Sequence, residues 1–246
     1  MTNFPSETKE GRVEDFYLQI SRGQIPGHRT VHKFGAVPAM SQNETGTIWD
    51  VDDTSYPWSL FSSAGVLNID RNASESASTV VTIQGLDSNY HEISEDVTLT
   101  DTANNTTSNS FIRFNRAFVS SGTGTNSYDI VIQKDVTTVG TIKADNGQTL
   151  MAVYTIPANH TGYLTSGDSS VQSGADATVN FYVRLNGGSF RVQHSFEVVG
   201  TGGQYHYPFS PPFKLLEKSD LDVKASVRSN NARCTASFDI ILVKNG

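Results

Sequence analysis

Ser127-Tyr128-Asp129-Ile130-Val131-Ile132-Gln133-Lys134-Asp135 and Ser237-Phe238-Asp239-Ile240-Ile241-Leu242-Val243-Lys244-Asn245 are near copies of one phrase, set 237 − 127 = 110 residues apart in a chain of 246. In each, a Ser-aromatic-Asp lead runs into aliphatic and β-branched residues and is closed by Lys and then Asp or Asn. That is the pattern of a strand meeting its turn. The offset is about the size of one β-sandwich domain. The repeat therefore predicts two domains in tandem, each ending in an equivalent strand.

Composition supports a β reading. With 37% hydrophobic residues and 20 glycines the chain can bury one large core or two small ones. Charged residues reach only 17%, while Ser, Thr and Asn abound, which suits exposed β surface and turns better than surface helices. The formal charge of −7 and a pI near 5.3 leave no field that attracts nucleic acid or an anionic membrane, so neither is expected as a partner.

Outward from the repeat, the sequence divides into three. Residues 1–61 carry no sustained strand or helix period and are broken at Pro5, Gly11, Gly23, Pro26, Gly27, Gly35, Pro38 and Pro57. Between the breaks lie aromatic pieces such as Phe16-Tyr17-Leu18-Gln19-Ile20, Val31-His32-Lys33-Phe34, Ile48-Trp49-Asp50 and Tyr56-Pro57-Trp58. They predict an extended N-terminal arm and lead-in, lying over its own first domain or clasping a neighbour. Residues 62–138 form the first predicted domain, with a hairpin from Thr79–Ile83 to His91–Thr100 and Phe111–Val119 as its central strand.

Residues 139–246 form the second predicted domain, joined to the first between Lys134 and Asn146, where Asp135–Gly140 lacks a strong apolar face. Its strands are read at Gln148–Pro157, Thr161–Thr165, Val179–Leu185, Phe190–Val198 and Leu221–Val227. Asn186-Gly187 predicts a tight hairpin with both central residues at positive φ, and Gly200–Phe213 reads as a loop. The fold class is all-β: two tandem β-sandwich or jelly-roll-like domains preceded by the arm.

Chemistry leaves few traces. No Gly-x-Ser-x-Gly elbow, Walker loop, His-Glu-x-x-His or Cys-x-x-Cys is present, so no enzyme, cofactor or metal is expected. His28 and His32 share a face, but Pro26 and Gly27 argue against a helix that would make them ligands. Asp50, Asp52 and Asp53 lack the Gly and Glu of a calcium loop and read as a solvated acidic turn. Cys234, the single cysteine, reads as a small buried residue. The N-terminus has neither a basic n-region nor an apolar h-region, so no secretion signal or membrane span is expected, and the five Asn-x-Ser/Thr triplets beginning at Asn43, Asn72, Asn104, Asn105 and Asn159 are set aside as sugar sites. Aromatic residues supply the candidate contact sites: Phe16, Tyr17, Ile20, Val31, Phe34, Trp49 and Trp58 in the lead-in, and Tyr205, Tyr207 and Phe209 late in the chain.

Gly23-Gln24-Ile25-Pro26-Gly27-His28-Arg29-Thr30-Val31-His32-Lys33-Phe34-Gly35, Thr47-Ile48-Trp49-Asp50, Ser110-Phe111-Ile112-Arg113-Phe114-Asn115-Arg116 and Leu185-Asn186-Gly187-Gly188-Ser189-Phe190-Arg191-Val192 resemble segments of small structural proteins of marine tailed phages, including podovirus-like cyanophages. The resemblance implies a virion component and carries no catalytic or binding residue across. The expectation is a non-enzymatic virion protein, made in the host cytoplasm, that decorates the capsid or builds a neck or tail accessory. Its expected partners are its own copies, as a homo-oligomer such as a trimer, and capsid, neck or tail proteins. The alternative is a carbohydrate-binding adhesin that uses the 200–213 aromatics.

Overall fold

The structure, a computed structural model, describes residues 14–71, 79–100, 105–122, 124–200 and 204–246. The first 13 residues of the expected arm lie outside the described residues. So do 101–104, 123 and 201–203 of the expected loops and turns, and the triplet positions Asn72 and Asn104.

The fold is all-β, built from small antiparallel sheets. A short helix, α1 (Phe16–Ser21), starts where the Asp15 carboxylate accepts from the Leu18 N–H. Two strands follow, β1 (His28–Met40) and β2 (Thr45–Thr47). A middle group comprises β3 (Asn68–Arg71), β4 (Thr79–Leu86), β5 (Glu92–Leu99), β6 (Asn105–Thr106), β7 (Arg113–Val119), β8 (Ile130–Lys134) and β9 (Thr137–Ile142). The closing group comprises β10 (Val153–Thr155), β11 (His160–Val171), β12 (Ala177–Arg184), β13 (Arg191–Val198), β14 (Gln204–Leu215), β15 (Asp220–Val227) and β16 (Ala232–Lys244).

Strand β1 and the closing group make one sandwich. Its sheets run β1-β16-β11-β14 and β10-β15-β12-β13, with β2 adding to β15. Counted along the chain as strands 1 to 8, they are ordered 1-8-3-6 and 2-7-4-5, the strand order of a jelly roll. Every second residue of β12 (Ala177, Val179, Phe181, Val183), of β15 (Leu221, Val223, Ala225, Val227) and of β16 (Cys234, Ala236, Phe238, Ile240, Leu242) enters the core between the sheets. This is the two-residue period of a strand buried on one face. The middle group makes a smaller sandwich, with sheets β6-β3-β8-β9 and β5-β4-β7 around Leu67, Ile69, Val81, Ile83, Phe111, Phe114, Ile130, Ile132, Val139 and Ile142.

The two sandwiches are nested and not serial, because the middle group is inserted between the first and second strands of the jelly roll. The chain crosses out at Ile48-Trp49 and back at Met151–Tyr154, and Trp49 bridges Met151. Alternation sorts the crossing residues: Ile48, Ala152 and Tyr154 enter the larger core, while Trp49, Met151 and Val153 enter the smaller. The Ala152 N–H donates to Ile48 O at 2.9 Å, and the Ile48 N–H donates to Val223 O at 2.9 Å, so the crossings join the β15 sheet.

Several sequence readings change accordingly. His28–Met40 is no arm: it is a sheet strand, paired with β16 from His28↔Val243 onward. Its partner lies some two hundred residues away and Lys33 and Gly35 interrupt its apolar rhythm, so no local pattern reveals it. The expected join after Lys134 is strand β9, which turns back on β8 through Asp135 and buries Val139 and Ile142. Both copies of the repeated phrase are interior strands, β8 between β3 and β9 and β16 between β1 and β11. In β5-β4-β7 the central strand is β4, and Phe111–Val119 supplies the end strand. At Asn186-Gly187 only Gly187 takes a positive φ, in a longer loop that carries Phe190 to within 5.4 Å, ring to ring, of Trp58. Residues 204–213 of the expected 200–213 loop belong to β14, an edge strand whose prolines need no partner on its open side.

Gly35 lets the crossings approach β1. A Cβ there falls well inside van der Waals contact of Ile48 O and Ala152 N. In urea denaturation, Gly35→Ala is expected to lose about 2–3 kcal/mol. An unchanged midpoint would show that the strands do not pack this closely.

Candidate functional site

The sandwiches meet along a seam built on the first residues of β15. Asp220 and Asp222 lie on the face opposite Leu221 and Val223, so the strand period that buries the leucine and valine aims both carboxylates at the inserted unit. Asp220 Oδ1 accepts from Arg113 Nε at 2.7 Å and from Thr155 Oγ1 at 2.6 Å; Oδ2 accepts from Arg113 Nη2 at 3.1 Å and from Arg184 Nη2 at 2.6 Å. Asp222 accepts from Thr47 Oγ1 and Trp58 Nε1, each at 2.9 Å. The Trp58 ring lies 5.7 Å from the Arg113 guanidinium and 5.3 Å from that of Arg184. One connected network thus spans β7, β10, β12, β15 and the 47–61 segment. Burial pushes the Asp222 carboxyl up, and Lys224, Trp58 and Thr47 oppose that rise.

Where the seam opens to solvent, a cleft of about 380 Å³ separates β1 from the β4–β5 hairpin and β7. Arg29, His32, Lys33, Arg116 and Tyr154 line it together with Gln84, Glu92, Ser94 and Asn115. Arg29 pairs with Glu92. Lys33 is buried and donates to the Asn115 carbonyl at 2.5 Å. Burial, and then the charge of Arg116, lower its pKa from 10.5 to about 7, against a raising effect of Asp50. Asp50 is buried too; its Oδ2 accepts from the Leu150 N–H at 2.8 Å, and desolvation pushes its pKa up from 3.8 to about 7.

The aromatic candidates fall into three groups. Trp49 and Trp58 are core residues of the inserted sandwich and Ile20 is buried, so none of the three presents a contact surface on this chain. Tyr205, Tyr207 and Phe209 are half-buried rungs of a ring ladder on β14: Tyr205 stacks on Phe196 at 4.5 Å, Tyr207 stacks on His194 at 4.0 Å and Phe209 meets Phe181 edge-on at 6.2 Å. These contacts tie β14 to β12 and β13 of the facing sheet. Val31 is half-buried against the larger core. Phe34, at 38% exposure, and Phe16 and Tyr17, at 39% and 49%, are the candidates that do face outward.

The polar candidates disperse. Asp52 accepts from Thr54 and Asp53 from the Ser41 N–H, while Asp50 turns inward, so the three make no common site. His28 bonds to Pro26 O and His32 to Asp239, at 3.0 and 2.7 Å. Cys234 lies in the larger core, where burial pushes its thiol up to about 12. Among the described residues no three His, Cys, Asp or Glu side chains gather as metal ligands, and no helix is long and apolar enough to cross a membrane.

No family model matches this chain, and no curated protein does. Solved structures of infectious bursal disease virus do. The Gt strain structure is 9% identical with a TM-score of 0.22, over 95% of this chain and 83% of that one. The Gx strain structure is 10% identical with a TM-score of 0.25, over 89% and 72%. The crystal structure of the VP2 subviral particle is 8% identical with a TM-score of 0.24, over 94% and 78%. At these scores the likeness carries no inference about fold or function.

Sequence reasoning passed over Arg113, Asp220, Asp222, Lys33 and Arg116. Their signal is a charge inside an apolar strand string, as in Ile112-Arg113-Phe114, or two carboxylates on one strand face, as in Asp220-Leu221-Asp222.

Asp220→Ala leaves two guanidiniums at a buried seam without their carboxylate. The expected loss in denaturant titration is about 3–5 kcal/mol; a loss below about 1 kcal/mol, the scale of an exposed pair, would mean that Asp220 does not hold the sandwiches together. The pH response follows from Asp50 and Lys33. Between about pH 4 and 7 the folded state holds a proton on Asp50 that the unfolded chain releases, so stability falls as pH rises through that window. Between about pH 7 and 10.5 the unfolded chain holds the proton that Lys33 has lost, so stability rises again. Equilibrium unfolding across pH should show the first limb flattened in Asp50→Asn, and a limb of unchanged slope would refute the assignment.

Proposed function

We propose that this chain is a non-enzymatic virion structural protein that decorates a capsid or forms a neck or tail accessory, assembling with its own copies and with other particle proteins. The observation that carries the reading is the jelly roll with a second β-sandwich nested in it and locked to it by a buried ion network. Jelly rolls are building blocks of capsid and lectin domains. A lattice or collar component has to hold its contact points at fixed spacing, and a seam tied at Asp220 supplies that rigidity. Outward apolar groups sit at separate corners: Phe16, Tyr17 and Leu18 on α1, Val136 on the β8–β9 turn, and Leu185 and Val192 beside the β12–β13 loop. Corners of this kind suit several small contacts with different neighbours better than one deep ligand pocket. The resemblance of the 23–35 and 110–116 segments to tailed-phage structural proteins points the same way.

The aromatic ladder on β14 gives the adhesin reading little support, since Tyr205 and Tyr207 each stack one ring face on protein, which reduces the ring surface open to a sugar. The test is to purify particles from cells that express the chain and to measure its copy number by quantitative mass spectrometry, then image particles with and without it. A fixed number of copies per particle, with density that vanishes on deletion, is the expected result. Absence from particles, combined with glycan binding by the isolated monomer, would overturn it in favour of the adhesin.

A further inference from the structure

We infer that the cleft between β1 and the β4–β5 hairpin is a binding seat for a small oxyanion, the sulfate, phosphate or carboxylate type of group, held between Lys33 and Arg116. The inference rests on charge matching and does not depend on the chain's place in a particle.

The chain as a whole carries a formal charge of −7, yet this cleft brings together Arg29, His32, Lys33 and Arg116 against one lining carboxylate, Glu92. Glu92 is occupied by Arg29. His32 turns to Asp239 on the neighbouring strand. Among the described residues the other two cations bond neutral oxygens: Lys33 donates to the Asn115 carbonyl, and Arg116 donates to the Gln148 side-chain amide while lying 4.9 Å from the Phe118 ring. The buried Lys33 ammonium and the Arg116 guanidinium repel each other, and that repulsion outweighs the attraction of Asp50 behind Lys33. A group with two or more acceptor oxygens placed between them relieves that repulsion and can meet the guanidinium fork on two oxygens.

The dimensions suit such an occupant. A volume of about 380 Å³ lies at the small end of ligand pockets and leaves room for a tetrahedral or planar anion with its waters. A second hollow, of about 280 Å³, shares His32, Lys33 and Arg116 with the first and is lined also by Phe34, Gln148 and Thr149. Gln84 and Ser94 add polar side chains to the first wall.

Binding should also take up a proton. Lys33 is held near pH 7 by burial and by Arg116, and an anion beside it favours its charged form. Affinity therefore falls as pH rises through about 7, by at most about tenfold per pH unit for one linked proton. The other charged or titratable groups that face Lys33 are Arg29, His32, Glu92, Arg116 and Tyr154 along the cleft and Asp50 behind it.

The test is isothermal titration calorimetry of the full chain with sodium sulfate, whose charge does not change between about pH 6 and 8, so that any pH dependence belongs to the protein. A parallel titration with succinate separates a preference for a tetrahedral oxyanion from one for a carboxylate. The expected result is one saturable site for at least one of the two probes, weakening as pH rises. Arg116→Gln, a change at an exposed position, should weaken it at least about tenfold at an unchanged melting temperature. Where Lys33→Met folds, it should abolish the pH dependence. No saturable binding of either probe up to about 10 mM, weaker than any specific site is expected to be, would overturn the inference, as would binding that Arg116→Gln leaves intact.

Discussion

Asp220 is 1% exposed and accepts hydrogen bonds from two guanidiniums and a hydroxyl that arrive on three different strands. A carboxylate taken out of water costs several kcal/mol unless both of its oxygens are matched, and an unmatched guanidinium beside it costs as much. Neither partner can therefore leave without stranding the other. Arg113 belongs to the inserted sandwich and Arg184 to the jelly roll, so this single carboxylate makes the placement of one unit a condition for the other. Trp58 extends the constraint: its ring lies near both guanidiniums and its N–H reaches Asp222, while Thr47 takes the other oxygen of Asp222 and in turn accepts from the Tyr56 N–H.

An ion network of this kind is weak evidence for net stability, because apolar side chains of the same volume often do as well. What it supplies is direction. Two β-sandwiches with greasy flanks could dock in many registers; a bidentate Arg113–Asp220 pair satisfied from both sides accepts one. The crossing residues make the same point by alternation. A slip of one residue at Ile48-Trp49 or at Ala152-Val153 would send the small-core side chains into the large core and the reverse, so the two cores read each other's register through the segments they share.

The β character of the chain was legible because alternation is local: Val179–Leu185 and Phe190–Val198 announce strands without help from elsewhere, and the repeated phrase marks a strand in both copies. Partner choice was not legible. Nothing within His28–Met40 says that its mate is β16, and Gly35, which reads as a breaker, is there so that Ile48 and Ala152 can come close. Trp49 and Trp58 were misplaced for a related reason. They stand in a stretch with no period of its own, which looks like surface until the inserted sandwich supplies the rest of their core. Charged residues at core parity, Arg113 and Lys33 above all, were the clues that local hydrophobicity reasoning discards.

The contrast between the two ends of the seam gives those charges meaning. In its interior, the guanidiniums of Arg113 and Arg184 share the Asp220 carboxylate, and Asp222 has Lys224 nearby as well as its two hydrogen bonds. At the rim, among the described residues, Lys33 and Arg116 make their hydrogen bonds to amide oxygens. Burial, and then the charge of Arg116, hold Lys33 far below its ordinary pKa, which is a standing cost to the folded state. A methionine of similar reach would fill the space without the desolvation penalty, but it would leave the buried Asn115 carbonyl without its Lys33 donor. A second cation and a cavity of ligand size beside Lys33 are what set this site apart from Lys134, which is buried against the Leu60 and Ser63 carbonyls, and they are what the proposed anion seat rests on.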